Sequence, residues 1–303
     1  MARPSPCPNL IVMAASVIAV ATSKGGAGKS SVTAATAGLL AQRGRVAVLE
    51  LDYQRDIALD FGVLNDPGHD GGESLSKAIL SGRLSGSGIS ARPNLDYFPG
   101  GPAIEPSSLM AVSGNPYWTG MDSKLAEAVE EIRDKYDFVL IDTPPSVRSL
   151  QHASLLAADW LLIPTPPDLG SMQALFGIAS RVVEVEGANP DLKFLGVVAF
   201  RIATTATKIR SDVRANLNEI LGDAVPLFDA VIRDAQATAV ECRARGMLPN
   251  EMAHAAKTAE PFWKALRKGK QPQNLPASAE GLAADYSQLV DEMLQRLGKN
   301  GAL

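Results

Sequence analysis

The chain has 303 residues, 46% of them hydrophobic and 20% charged, with a formal net charge of −4. That is enough chain to bury a sizeable core, and the balance is ordinary for a globular domain. Two cysteines, Cys7 and Cys242, exclude a disulfide framework and lack metal-ligand spacing, and no apolar run approaches the roughly 18 residues a membrane-spanning helix needs.

Residues 1–13, with Pro4, Pro6 and Pro8, are expected to form a flexible extension before a single domain over 14–303. Arg3 and the apolar stretch Leu10–Ala21 superficially suggest a signal peptide. The stretch runs straight into a glycine-rich turn, however, and reads better as a first buried strand. Val17-Ile18-Ala19-Val20-Ala21 leads into Ser23-Lys24-Gly25-Gly26-Ala27-Gly28-Lys29-Ser30-Ser31, and a helical pattern over Val32–Gln42 leads out. Strand, glycine-rich turn, Lys-Ser and helix is the arrangement that cradles phosphate: glycines let backbone N–H groups converge, and the helix N-terminus adds positive potential. Gly25, Gly26, Ala27, Gly28, Lys29, Ser30 and Ser31 are the candidate phosphate contacts, with the Ser30 hydroxyl at a Mg²⁺ position.

Val46–Leu49 is a short unbroken apolar run, as a central parallel strand requires, and it ends in Glu50-Leu51-Asp52. Residues 65–74 and 81–93 read as loops around a short helix at Leu75–Leu80. Leu95–Phe98 reads as a strand, 99–120 as an irregular excursion, and Ser123–Lys135 as an amphipathic helix. Phe138-Val139-Leu140-Ile141 then runs into Asp142-Thr143-Pro144-Pro145, placing a carboxylate at a buried strand's end, where it can serve Mg²⁺. Further strands are expected at Trp160–Pro164, Leu195–Phe200 and Val225–Phe228, and further helices at Ser171–Glu186, Lys208–Leu221 and Ala235–Gly246. A last helix carries Leu282, Tyr286, Leu289, Val290, Met293 and Leu297 on one stripe. Because ligands in open parallel sheets sit beyond the strands' carboxyl ends, the loop at 23–31, Asp52 and Asp142 are expected to converge.

The order Lys24-Gly25-Gly26-Ala27-Gly28-Lys29-Ser30, Asp52, Asp142-Thr143-Pro144-Pro145 resembles the ParA/MinD family of deviant Walker A ATPases, most closely its ParA branch. The resemblance covers roughly residues 16–246. It implies an α/β fold with a doubly wound, mostly parallel sheet flanked by helices, and an ATPase that uses ATP and Mg²⁺, hydrolyses slowly and works as a homodimer in the ATP state. By the same resemblance Lys24 reaches the partner's phosphates, and Asp52 orients the attacking water and joins Ser30 and Asp142 at Mg²⁺. Glu50, Tyr53, Arg55 and Asp56 depart from the family's switch I, D-x-D-P-Q-G-N. Phe200-Arg201 stands where the family places an asparagine that reads the base, so Arg201 becomes the base-contact candidate.

Residues 1–200 carry 15 basic and 21 acidic side chains, and residues 201–303 carry 14 basic and 12 acidic. Within the second group the stretch 262–270 is basic. Arg210, Arg214, Arg233, Lys264, Arg267, Lys268 and Lys270, together with Lys208, Arg243 and Arg245, form a candidate face for double-stranded DNA, bound through phosphates without base reading. The family resemblance implies nonspecific DNA binding, a cytoplasmic and nucleoid-associated location, segregation of a plasmid or chromosome, and a stimulating centromere-binding or cargo adaptor protein. The alternative is a positioning ATPase acting on a protein cluster, organelle or membrane. The last helix argues against a membrane surface, since Asp285, Asp291 and Glu292 would meet anionic lipid. Cysteines for a shared iron–sulfur cluster and a C-terminal tyrosine cluster for a kinase are both missing.

Overall fold

A computed structural model of the chain describes residues 15–84, 86–105, 123–203, 225–259, 267, 275–276 and 278–298. Its strands are β1 (Ser16–Val20), β2 (Val46–Glu50), β3 (Ile89–Arg92), β4 (Leu95–Phe98), β5 (Phe138–Asp142), β6 (Trp160–Thr165), β7 (Lys193–Ile202) and β8 (Leu227–Arg233). Its helices are α1 (Lys29–Leu40), α2 (Asp56–Phe61), α3 (Glu73–Ser81), α4 (Lys124–Glu130), α5 (Arg148–Ala157), α6 (Leu169–Val185), α7 (Gln236–Arg245), α8 (Pro249–Thr258) and α9 (Ala279–Arg296).

The strands form one sheet in the order β3-β4-β2-β5-β1-β6-β7-β8, parallel throughout except for the antiparallel edge pair β3–β4. Apolar runs without alternation require cover on both faces, and β1 has it: Val17 and Ala19 belong to one apolar cluster, Ile18 and Val20 to the other. Helices α4, α5 and α6 cover the first face, and α1 and α9 the second. The stripe Leu282, Tyr286, Leu289, Val290, Met293 and Leu297 is buried there, so α9 packs on the domain. No helix among the described residues is long and apolar enough to cross a membrane.

The differences from the sequence reading are local. The expected helix over 123–135 ends at Glu130 and continues as a 3₁₀ turn, Arg133–Lys135. Strand β3 lies within 81–93, which had read as loop. It has four residues and a register shift between Ser90 and Arg92, too short for an alternation to stand out. Helices α2, α5 and α8 had no expectation; α2 has only six residues, too few to show a period. The strand expected at Val225–Phe228 is β8, which begins at Leu227 and runs on to Arg233. The expected helix at Lys208–Leu221 and residues 1–13 lie outside the described residues.

Candidate functional site

Strand β5 lies between β1 and β2, with Val20 and Glu50 both in register with Asp142. The loop after β1, the turn after β2 and the end of β5 therefore meet at one carboxyl edge. Chain order reverses there too, because β6 lies on the other side of β1.

The loop has the backbone its glycines permit. Gly26 and Gly28 lie in the left-handed region at φ 70° and 87°. A Cβ on Gly28 would also stand 2.2 Å from the Phe200 ring. Gly28 is followed by α1, whose first residues are Lys29 and Ser30. The Ser30 hydroxyl donates to Asp142 Oδ2 at 2.7 Å, and the Thr33 hydroxyl reaches Asp142 Oδ1 at 3.3 Å. Asp142 is fully buried, and burial pushes its carboxyl up to about 7, against the Ser30 bond and the Lys29 charge. Lys29 is 5% exposed; burial lowers its pKa, while Asp142, Asp52 and Asp56 oppose that shift. Burial likewise raises Asp52, whose Oδ1 accepts the Gln54 N–H at 3.0 Å.

Glu50, at the first aspartate position of the switch I pattern, does not line the cleft. It is fully buried, accepts the Ile57 N–H at 2.9 Å and is hydrogen-bonded by the Tyr97 hydroxyl. It thereby anchors the first turn of α2 to β4. Gly100 packs over this turn, where a Cβ would fall 2.3 Å from the Asp52 carbonyl oxygen. The sequence trace of that contact is Pro99-Gly100-Gly101, directly after β4.

A cleft of about 360 Å³ opens over these groups. Gly25, Gly26, Gly28, Lys29, Ser30 and Ser31 line one end with Asp52, Gln54 and Asp56. Phe200, against Gly28, continues the wall to Arg201, Asp234 and Ala235 at the other end, with Arg243 of α7 and Tyr286 of α9 also in the lining. Arg201 has φ 61°, and its Nε lies 3.6 Å from Asp234 Oδ1, both side chains about half exposed. Lys24 is not part of the lining: its ammonium pairs with Asp168, just before α6. Among the described residues no group of three His, Cys, Asp or Glu side chains stands ready for a metal. The donor set of Ser30, Asp52 and Asp142 is all oxygen, which suits Mg²⁺ completed by phosphate and water.

The basic face changes most. Arg233 is withdrawn from it: the guanidinium is held bidentately by Asp285 of α9, Nε to Oδ2 at 2.6 Å and one Nη to Oδ1 at 2.7 Å. Gly281 makes the room, since a Cβ there would stand 2.1 Å from the guanidinium. Asp285, placed by the sequence reading on the helix's charged surface, is 9% exposed. Arg243 is likewise engaged by Asp60 at 2.8 Å and Asp56 at 3.1 Å, and Arg245 by Glu241 at 2.6 Å. Arg267 is exposed. Lys208, Arg210, Arg214, Lys264, Lys268 and Lys270 lie outside the described residues.

Comparison with known proteins agrees with this geometry. A family model described as an AAA domain matches residues 15–194, more than half the chain. The chain is 34% identical over 185 residues to a ParA family protein of Chlamydia pneumoniae, covering 59% of this chain and 69% of that one. It is 27% identical over 207 residues to the chromosome-partitioning ATPase Soj of Thermus thermophilus, covering 67% and 77%. Its fold is similar to an ATP complex of Cyanothece McdA, with TM-score 0.70 at 19% identity over 94% of this chain and 96% of that one. Lys24-Gly25-Gly26-Ala27-Gly28-Lys29-Ser30 at the open end of the central strand, with Asp142 on the adjacent strand, is thus set in the fold and sequence of known partition ATPases, and the chain belongs to the ParA/MinD-like family of deviant Walker A ATPases.

Proposed function

We propose that this chain is a MgATP-dependent, dimerising ATPase that binds DNA nonspecifically and positions a cargo, a plasmid or chromosome first among the candidates. The observation that carries the reading is the convergence of Lys29, Ser30, Asp52 and Asp142 at one sheet edge while Lys24 stands outside their cleft. Backbone N–H groups of 25–31 and the start of α1 hold the phosphates, and Lys29 reaches the β- and γ-oxygens. Ser30, Asp52 and, through water, Asp142 hold Mg²⁺, which when bound offsets charge on the phosphate oxygens. Asp52 orients the attacking water. Phe200, Arg201 and Asp234 receive the base.

Lys24 serves a second copy of the chain. Within one chain Asp168 neutralises it, so supplying charge to the partner's γ-phosphate requires that pair to open. Chemistry then waits for dimerisation, which suits a slow, partner-stimulated switch. A centromere-binding or cargo adaptor protein is the stimulating partner, and the protein is cytoplasmic and nucleoid-associated. The chromosome-partitioning name of the Thermus relative supports DNA segregation over the other positioning roles.

Lys24→Ala tests this. ATP binding should persist, while ATP-dependent dimerisation and hydrolysis should each fall by about 100-fold, the scale of a missing transition-state donor. Light scattering and phosphate release read the two effects, and wild-type levels of both would reject the trans lysine. ATP-loaded wild type that fails to retard arbitrary duplex DNA at low salt would reject the DNA reading alone.

A further inference from the structure

Gln151 of α5 is fully buried, yet it is not part of the cleft. Its Nε2 donates to the carbonyls of Pro144 at 2.8 Å and Pro145 at 2.9 Å, and lies 3.4 Å from the carbonyl of Thr22. Those carbonyls belong to the two segments that form the phosphate end of the site. Thr22 immediately precedes Ser23-Lys24, and Pro144-Pro145 follows Asp142-Thr143, with Pro145 in the cleft wall. From these contacts we propose that Gln151 is a positioning residue for the ATPase reaction, a single amide that ties the start of the phosphate loop to the segment after Asp142 and holds both in register.

Backbone chemistry explains why such a donor is needed. Consecutive prolines bring no N–H groups of their own, so Pro144 and Pro145 cannot stitch their segment to a neighbour by donating. Their carbonyls point inward and need a donor from elsewhere. On the upstream side Thr143 is tied to β1, its hydroxyl donating to the Val20 carbonyl at 3.0 Å and its N–H at 3.4 Å. The Gln151 amide continues that tie past the prolines. Its own geometry shows which end of the side chain matters, because Oε1 is buried with no hydrogen-bond partner among the described residues. An apolar side chain of the same length would fill this space without an orphaned acceptor. Glutamine there is explained by its donors.

Tying the two segments matters because each faces the γ-phosphate from a different strand end. A displacement of about 1 Å between Asp142-Pro145 and the loop is enough to cost turnover heavily while leaving most phosphate contacts in place. Gln151 therefore acts on the chemical step and on the dimerising state more than on nucleotide capture.

This inference rests on the ATPase reading above, and one experiment separates the two. Gln151→Met keeps the side chain's length and removes its donors; Leu155→Ala, buried on the same helix, supplies a destabilised control. With both variants folded by circular dichroism, Gln151→Met should lower kcat about tenfold and leave KM for ATP within about twofold, whereas Leu155→Ala should lower the melting temperature and leave kcat unchanged. Equal kcat in wild type and Gln151→Met would overturn the positioning role, as would an equal loss in both variants. Wild type that neither binds nor hydrolyses ATP would overturn the ATPase reading instead. If Gln151→Met does not fold, Gln151→Glu takes its place: its carboxyl can donate only when protonated, so kcat should rise as pH falls relative to wild type. A flat ratio, or failure of both variants to fold, would make the residue a determinant of folding and refute the proposal.

Discussion

The two ends of the cleft are built differently. At the phosphate end, Asp142 is fully buried, Asp52 is 4% exposed and Lys29 is 5% exposed, each within two residues of a strand or helix terminus. At the other end Arg201 and Asp234 are roughly half exposed and meet at 3.6 Å. Charges withheld from water interact strongly and shift one another's protonation; exposed charges are screened and hold each other loosely. The phosphate end is therefore preorganised, and the other end is able to adapt to what enters it.

The sharpest way to break this contrast is to remove a charge from the buried end. Lys29→Ala should cost at least about 100-fold in ATP affinity, measured by calorimetry, because Lys29 is the one cation among the loop residues 25–31 that line the cleft. Retained affinity would mean that the phosphates lie elsewhere.

A pH effect follows from the same burial. Burial pushes Glu50 up to about 8, the Tyr97 hydrogen bond opposing it. A carboxyl raised in the folded state binds its proton more tightly there than in the unfolded chain. Its stabilisation is therefore complete below about pH 4.5 and is lost as pH rises towards 8. Nucleotide-free, Mg²⁺-free protein should lose on the order of 2–4 kcal/mol of unfolding free energy across that window. Urea titrations should show the slope, and Glu50→Gln should flatten it. An equal slope in the variant would assign the effect to other groups, Asp142 first.

Two ion pairs give the cleanest comparison. Arg233→Ala leaves Asp285 buried without a counter-charge, holding only the backbone N–H of residue 233, and should cost about 2–3 kcal/mol of stability, with DNA affinity little changed. Arg201→Ala opens an exposed pair and should cost under about 0.5 kcal/mol, while weakening ATP binding a few-fold. Denaturation and nucleotide titration of the two variants would reverse the contrast if Arg201 proved the more stabilising.

Much of the phosphate end is legible in the sequence. A glycine-rich turn between an apolar run and a helix, and carboxylates at the ends of apolar runs, are patterns of neighbouring residues, and parallel strands bring their carboxyl ends together. The arginines were not legible in this way. Arg233 and Arg243 read as part of a basic face because their partners, Asp285 and Asp60, lie 52 and 183 residues away in sequence. Glu50 looked like a substituted switch residue until Tyr97, 47 residues on, was found bonded to it. Gln151 carried no signal, since a glutamine on a helix is unremarkable until three carbonyls surround it.

The sequence by itself determined the central parallel strands, the backbone of the phosphate turn and the carboxylates at the strand ends, because these depend on hydrogen bonding and side-chain period over a few residues. The tertiary structure alone decided that Lys24 rests on Asp168, that Arg233 turns inward to Asp285, and that one buried amide joins Thr22 to Pro144-Pro145. Those outcomes depend on distances of a few ångströms between residues far apart in the chain, and on burial, which makes each such pairing strong. Neither quantity exists until the sheet has formed.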